Sequence, residues 1–364
     1  MIFLVFFTFF YFLYVLSLGI CIKNNKLLLI SSLIPVTLIS GFRYNVGFDF
    51  LSYVNYFDLL KYNEDVYLDF SFRYLSYAIL YINGNEQLLF ITYAILYSIA
   101  LYFLIQIASK NYADAVDAVF IIGLILSFYA FYFLLTLNQI RSTLSAIFLC
   151  YAFLRERKDF AFYFSVFLSV FFHSAALFLI PIYFMLSRVN IKFLLCMFPF
   201  LIILSYFNVF SGLIRYILIL FDSRFVNYFD SEYFLPKEGV EKFYSILSMS
   251  VIIVIVMTMT TILPKKFESV VKLVICFLLL RAMSIDIMIF ARLSDFLKPI
   301  AIILIFTMIY KASQKVKPNI ILPLYFLGVL SITLLNVYLG SNISHQSDYD
   351  YEFNICIFGS KCVS

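Results

Sequence analysis

The chain has 364 residues, of which 64% are hydrophobic and only 13% are charged, and its mean hydropathy is +1.00. Soluble domains usually carry about 25% charged residues, so this composition excludes a soluble globular protein and requires lipid as the solvent. The net charge of +5 does not indicate nucleic-acid binding, because the basic residues lie in short clusters between apolar runs.

Apolar runs recur along the whole chain and predict an all-α integral membrane protein, a polytopic bundle of about twelve transmembrane helices. The predicted spans lie near residues 2–22, 27–42, 87–108, 116–135, 140–154, 160–173, 174–187, 191–210, 243–263, 269–290, 296–310 and 319–340. The stretch Phe72–Ile82 is short and flanked by polar residues, which favours an interfacial or re-entrant helix. We expect residues 1–340 to form a single transmembrane domain.

The basic residues between the spans predict the orientation, because cytoplasmic loops are enriched in Lys and Arg. Cytoplasmic clusters are expected at Lys23/Lys26, Lys110, Arg155/Arg157/Lys158, Arg188/Lys192, Lys265/Lys266/Lys272 and Lys311/Lys315/Lys317. Segments 43–71 and 211–242 then form loops at the outer face, and 341–364 forms a polar tail on the same side. Cys356 and Cys362 could pair there, outside the reducing cytoplasm.

Several arginines remain on the predicted outer side, where few are expected: Arg43, Arg73, Arg141, Arg215, Arg224 and Arg292. Three of them, Arg43, Arg141 and Arg292, lie directly beside apolar spans. A charge at the centre of a span costs about 2.5–3.5 kcal/mol, so such residues usually have a partner or a function. Because a guanidinium binds phosphate oxygens in a bidentate manner, these three are candidates for binding a lipid diphosphate.

A simpler alternative is that the arginines pair with nearby carboxylates. The pairs that the sequence suggests are Arg43 with Asp49, Arg292 with Asp295, and Arg281 with Asp286. Asp49 has two further interpretations, since it could deprotonate or orient a sugar hydroxyl, or cap a helix locally. Gly47, two residues earlier, permits a backbone conformation that a Cβ would penalise.

His173 ends an apolar run at the predicted outer side of the membrane. A histidine in such a place is either a structural hydrogen-bonding residue or a general base. His345 lies in the polar tail and is expected to be solvated. The chain has no paired Cys/His metal spacing, no Walker loop, no GxGxxG and no GxSxG, so we expect no nucleotide, coenzyme or metal cofactor.

Four segments, taken in order, resemble the motifs of the EpsG/Wzy-type polysaccharide polymerases. They are Gly41–Tyr53 with Arg43, Gly47 and Asp49; Asn138–Ala146 with Arg141; Phe167–Pro181 with His173; and Ala291–Phe296 with Arg292 and Asp295. The chain departs from the family pattern at Phe50, where Tyr is common, and at Asp69, where Glu is expected. The second departure weakens any role for Asp69.

The resemblance implies a metal-independent membrane glycosyltransferase of the GT-C type in the bacterial inner membrane. Such an enzyme joins undecaprenyl-diphosphate-linked oligosaccharide units into O-antigen, capsule or exopolysaccharide at the outer face, and its expected partners are a flippase and a chain-length regulator. The candidates for binding the diphosphate are Arg141, Arg292 and Arg43. The candidate bases are His173, which is favoured, and Asp49. Structural or orienting roles are expected for Gly47, Tyr53, Asn138 and Asp295.

Other functions share parts of this pattern. A ligase that moves finished glycan onto lipid A core would use the same donor and the same outer-face arginines. A flippase for the lipid-linked unit would need charges along a path from both faces and usually has paired halves, which the sequence does not show. A structural scaffold protein would tolerate the loss of Arg141 and His173.

Cysteine labelling tests the predicted orientation. In a variant without native cysteines, we expect a membrane-impermeant maleimide to label Arg141→Cys and Arg292→Cys in intact spheroplasts. Lys110→Cys is the control, and it should be labelled only after the membrane is permeabilised. Labelling of positions 141 and 292 only after permeabilisation would contradict an outer-face site for a lipid diphosphate.

Overall fold

The computed structural model describes residues 2–47, 49–62, 69–113, 117–155, 157–220, 239–260, 267–315, 318–343 and 352–353. Within these residues the protein is almost entirely helical, with two short strands that pair with each other. The all-α class predicted from the apolar runs is therefore confirmed. The predicted pairing of Cys356 with Cys362 lies outside the described residues, as does His345.

The helices follow the apolar runs closely. The first are α1 (Ile2–Cys21), α2 (Asn25–Gly41), α3 (Phe50–Lys61), α4 (Phe70–Tyr81) and α5 (Glu86–Tyr112). Next come α6 (Ala118–Phe128), a π-helical segment (Tyr129–Phe133), α7 (Leu134–Asn138), α8 (Ile140–Phe153) and α9 (Phe160–Phe172). A 3₁₀ turn (Ser174–Phe178) leads to α10 (Leu179–Leu186), α11 (Ile191–Tyr206), α12 (Val209–Leu220), α13 (Gly239–Thr260), α14 (Glu268–Met283), α15 (Ile289–Asp295), α16 (Lys298–Lys315) and α17 (Pro318–Ile343). Strands β1 (Arg43–Tyr44) and β2 (Glu352–Phe353) are antiparallel.

Asparagine and aspartate side chains begin several of these helices. In each case a side-chain oxygen accepts a hydrogen bond from a backbone N–H of the first turn, which would otherwise have no partner within the helix. The capping residues are Asn24, Asn85, Asp117, Asp159 and Asn190.

Four helical segments are long and apolar enough to cross a membrane: Phe3–Cys21, Glu86–Tyr112, Ala118–Asn138 and Ile320–Val337. A fifth is added if Ile191–Tyr206 and Val209–Tyr216, which meet at a bend of 74°, count as one span. Several other predicted spans form helices of 10–17 residues, shorter than the roughly 20 residues that a full crossing needs. The described residues thus support four or five spans, and the count of twelve stays a prediction.

Two helices lie within segments that the sequence predicts as outer-face loops. Helix α3 buries Phe50, Tyr53, Phe57 and Leu60, which recur at the spacing of one helical face. Helix α12 occupies the start of the other segment. The short helix expected at Phe72–Ile82 forms as α4, and it is not among the candidate spans of the described residues.

The chain divides into two compact units, each described by itself. Unit 1 comprises Met1–Ser174 and Ile305–Ser364, and unit 2 comprises Ala175–Leu304. In unit 1, helices α2, α5, α8 and α9 pack side by side. Ser145 of α8 donates to the Ser169 carbonyl of α9 at 2.7 Å, and the two hydroxyl oxygens are 3.0 Å apart.

The two ends of unit 1 differ in chemistry. At one end Gln87 donates to the Gly41 carbonyl, which joins the start of α5 to the end of α2. At the other end Asn111 Nδ2 donates to the Leu154 carbonyl at 2.8 Å, beside the expected cytoplasmic clusters at Lys110 and Arg155. The motif residues of unit 1 therefore gather at the end away from those basic clusters.

In unit 2 a buried carboxylate holds the bend between α11 and α12. Asp286 is fully buried, and its Oδ2 accepts hydrogen bonds from the backbone N–H groups of Phe210 at 2.7 Å and Ser211 at 3.1 Å. The suggested pairing of Arg281 with Asp286 is wrong, because Arg281 Nη2 instead lies 2.5 Å from Asp295 Oδ1. Asp286 thus accepts hydrogen bonds from backbone N–H groups in the first turn of α12, which have no partner within the helix. The sequence around Arg281 does not reveal this role.

Disulfide trapping tests the packing of α8 on α9. In a background without native cysteines, Ser145→Cys/Ser169→Cys should form a disulfide rapidly under mild oxidation, because the wild-type hydroxyl oxygens are in contact. The control pair Ser145→Cys/Ser165→Cys places the second cysteine one helical turn away and should react much more slowly. Equal rates for the two pairs, measured by gel mobility after cleavage between the helices, would contradict this packing.

Candidate functional site

Three helix ends carry the candidate residues of unit 1. Asp69 directly precedes α4, Arg141 is the second residue of α8, and His173 directly follows α9. The Asp69 carbonyl accepts hydrogen bonds from Phe72 N at 3.1 Å and Arg73 N at 3.4 Å, so its backbone begins α4. Its side chain makes no capping hydrogen bond, unlike those of Asn85, Asp117 and Asp159 at the starts of other helices. The carboxylate of Asp69 is instead directed at other elements.

One oxygen of that carboxylate binds both a guanidinium and an imidazole. Asp69 Oδ2 lies 2.7 Å from Arg141 Nη1 and 2.7 Å from His173 Nδ1. Its Oδ1 accepts hydrogen bonds from Ser174 N at 3.3 Å and Ser174 Oγ at 3.2 Å. We call these four residues the Asp69 cluster. The side chains of Asp69, Arg141 and His173 are 10%, 18% and 30% exposed, so the histidine is the most accessible of the three.

The protonation of the cluster follows from its hydrogen bonds. Burial by itself raises the pKa of the Asp69 carboxyl, but the hydrogen bond and charge of His173, the charge of Arg141 and the Ser174 N–H together hold that pKa below its usual value. Asp69 is therefore an ionised carboxylate, which can only accept hydrogen bonds. His173 Nδ1 must then carry the proton of the hydrogen bond to this carboxylate.

Aromatic rings hold the guanidinium of Arg141 from the other side. Its Cζ lies 5.6 Å from the ring centre of Tyr53 and 5.8 Å from that of Phe72, within the range of a cation–π contact. The α7–α8 break at Gln139 places Arg141 at the start of α8. Arg141 Nε is buried and has no hydrogen-bond partner in the part of the chain that the structure describes. Tyr53, predicted to have an orienting role, thus lies against the arginine that it would orient.

Arg43 lies in a separate buried position of unit 1. It is 2% exposed, and its Cζ is 4.9 Å from the ring centre of Phe90. It lines a small pocket together with Phe90 and the hydroxyl residues Ser40, Thr136 and Thr143. The structure therefore places a guanidinium in a small, partly polar pocket between α2, α5 and the α7–α8 break.

Gly47 couples the first motif to the second. Its φ is +99°, in the left-handed region that favours glycine. A Cβ at this position would lie 2.5 Å from Asn138 Oδ1 and 2.7 Å from the Leu137 carbonyl oxygen. The loop that carries Arg43 thus packs directly on the break before Arg141. Asn138 and Gly47, both predicted to have structural roles, are in contact.

The remaining candidates are not among the residues that bind the Asp69 carboxylate. Asp49 precedes α3 but makes no side-chain capping hydrogen bond, so the helix-cap interpretation of this residue is wrong. Arg292 and Asp295 both belong to α15 in unit 2. Asp295 is the ion-pair partner of Arg281. The structure therefore assembles Arg141 and His173 in one cluster and places the fourth motif in the other unit.

Asp69 is the residue that sequence reasoning discounted, because it departs from the family pattern. One signal could have identified it, since it is an acidic residue directly before the amphipathic stretch of α4. Its partners could not be read from the sequence, because they lie 72 and 104 residues away. Among the described residues, no group of three or more His, Cys, Asp and Glu side chains could hold a metal ion.

Replacing Gly47 tests the contact between the two motifs. We expect Gly47→Ala to lower the melting temperature of the purified protein, because a non-glycine residue at this φ costs about 1–3 kcal/mol and the new methyl group would overlap Asn138. Gly239→Ala is the matched control: it also has a positive φ, but among the described residues no atom lies within 4 Å of its added Cβ. A loss of stability no greater than that of the control would show that the loop does not pack on Asn138.

Comparison with known proteins identifies the family of the chain. The model of the EpsG family matches residues 26–353, which contain all four motif segments and the Asp69 cluster. Comparisons with curated proteins and with solved structures found no significant match. The match covers most of the chain, and the protein is a member of the EpsG family, the family of Wzy-type polysaccharide polymerases.

Proposed function

We propose that this protein polymerises oligosaccharide units carried on undecaprenyl diphosphate, by glycosyl transfer at the outer face of the bacterial inner membrane. Membership of the EpsG family supports a polysaccharide polymerase. The apolar helices support a membrane enzyme. The single observation that carries the proposal is that Arg141 and His173, from two separate motifs, meet on one carboxylate in unit 1.

Arg141 provides the group that binds the leaving diphosphate. Its guanidinium is fixed by Asp69 on one side and by the rings of Tyr53 and Phe72 on the other. A guanidinium that is already held in place stabilises developing negative charge without reorganising during the reaction. Arginine also suits this role because its planar fork matches phosphate oxygens.

His173 provides the base. Its Nδ1 is held by Asp69 and its side chain is 30% exposed, so an acceptor hydroxyl can reach the ring and transfer its proton to Nε2. In the proposed reaction the acceptor oxygen forms a bond to the anomeric carbon of the donor, and its proton goes to Nε2. The bond from that carbon to the phosphate oxygen breaks, and its electron pair leaves with the lipid diphosphate beside Arg141.

Other predicted residues keep secondary places in the proposal. Arg43 assists in binding the anion from its buried pocket, and Asp49 is the alternative base. Arg292 keeps its predicted role in binding a lipid diphosphate, which rests on the resemblance of its motif alone. The proposal also includes a bundle of twelve membrane helices of the GT-C type, with a flippase and a chain-length regulator as partners.

A ligase that attaches finished glycan to lipid A core is the second candidate, because it would use the same donor chemistry. The two enzymes differ in what a strain without them produces. A strain that lacks the polymerase still attaches a single unit, whereas a strain that lacks the ligase attaches none. A gel of the surface glycan from such a strain therefore separates the two functions.

Complementation with variants tests the roles of Arg141 and His173. We expect Arg141→Lys to keep the charge but to lower polymer formation about 10²-fold, because an ammonium cannot replace the bidentate fork. We expect His173→Ala to lower it by about 10²–10⁴-fold, through loss of the base. The measurement is the amount and length of surface polysaccharide in a strain without the chromosomal copy.

Arg155→Lys is the matched control for this test. Arg155 also pairs with an aspartate, Asp159, but at the other end of unit 1. This variant should make normal polymer. Full-length polymer from both Arg141→Lys and His173→Ala would contradict the proposed function.

A further inference from the structure

We infer that Asp69 is a positioning residue that prepares His173 as the base and acts as the internal counter-ion that the lipid diphosphate displaces from Arg141. This inference rests on the proposed function and deepens it. It gives a role to a residue to which neither the motifs nor the family match assigns one. It also connects donor binding to activation of the acceptor.

The first part of the inference follows from where the carboxylate points. A purely local role for Asp69 would be to cap α4, but the side chain makes no capping hydrogen bond there. Its two oxygens receive all their described hydrogen bonds from α8 and from the junction after α9. The carboxylate therefore orients Arg141 and His173, and because it binds Nδ1, Nε2 is the ring nitrogen that we infer takes the acceptor proton.

The second part follows from the sharing of one oxygen. Oδ2 of Asp69 serves both Arg141 and His173, at 2.7 Å each. Without substrate, one carboxylate thus balances an arginine that would otherwise be a partly buried, unpaired cation. A lipid diphosphate carries more negative charge than a carboxylate and offers several oxygens, so it competes for the same guanidinium.

Arg141 retains donors for this exchange. Its ion pair with Asp69 uses Nη1, and 18% of the side chain is exposed, so part of the guanidinium can be reached while that pair is intact. A guanidinium has five N–H donors in a fixed fork, so an incoming diphosphate can bind before Asp69 releases it. The rings of Tyr53 and Phe72 keep the guanidinium in place during the exchange.

Displacement of Asp69 from Arg141 changes the interaction of its carboxylate with His173. Once the diphosphate holds Arg141, the remaining cationic partner of Asp69 is His173. The full charge of the carboxylate then stabilises the imidazolium that forms when Nε2 takes the acceptor proton. Binding of the donor lipid therefore strengthens the base, and the base is weaker while the donor site is empty.

We expect Asp69→Asn to affect binding of the lipid diphosphate and polymer formation differently. Asparagine removes the competing charge, so we expect the variant to bind a long-chain isoprenyl diphosphate in detergent micelles at least as tightly as wild type. Its amide no longer fixes the protonated Nδ1, so we expect polymer formation to fall about 10²-fold or more. A merely structural role would weaken binding and turnover together.

Three further variants sharpen this test. Asp69→Glu keeps a carboxylate and should retain polymer formation within about tenfold of wild type. Asp159→Asn removes the carboxylate from the Arg155 pair at the other end of unit 1 and should change neither measurement. In the double variant Asp69→Asn/His173→Asn, turnover should fall no further than in His173→Asn alone, because Asp69 acts through the histidine.

Several results would overturn the inference. They are wild-type polymer formation by Asp69→Asn, a loss of isoprenyl diphosphate binding in that variant, or additive losses in the double variant. If neither Asn nor Glu at position 69 gives a folded protein, Asp69 is a structural residue and the inference is wrong. Failure of the proposed function is a separate outcome, in which Arg141→Lys and His173→Ala both make normal polymer.

Discussion

The carboxylate of Asp69, shared between a guanidinium and an imidazole, is the interaction on which the site of unit 1 depends. The partly buried guanidinium of Arg141 would be costly without an anion beside it. Asp69 meets this need and at the same time joins the start of α4, the start of α8 and the end of α9. The hydrogen bonds that hold these helix ends together therefore also assemble the candidate site.

The sequence predicted the helices well because lipid leaves the backbone few alternatives. Helices α8 and α9 begin and end within about one residue of the apolar runs that predict them. The number of crossings could not be read in the same way, since helices of 10–17 residues span a membrane only where the bilayer thins or other protein covers their ends. Helix α3 was missed although its buried residues show helical spacing, because it lies in a segment assigned to a loop by its polar residues.

Individual residues of the candidate site could be predicted from the sequence, but their contacts with one another could not. A charge or an imidazole at the end of an apolar run is conspicuous, and this led directly to Arg141 and His173. Their common partner is distant in the chain, so only the folded structure reveals it. Proximity in sequence was misleading at Arg281, which pairs with Asp295, while the nearer Asp286 binds backbone N–H groups at the bend before α12.

The pairing of β1 with β2 determines when the loop that carries the first motif can finish folding. Arg43 lies opposite Phe353, so the loop that carries the first motif gains its ladder partner from a segment that the ribosome makes more than three hundred residues later. Until that segment has emerged, the backbone of Arg43 and Tyr44 has no strand beside it. The N-terminal loop is therefore completed late in biogenesis, and chains that stall during synthesis or insertion leave this part of the first motif unfinished.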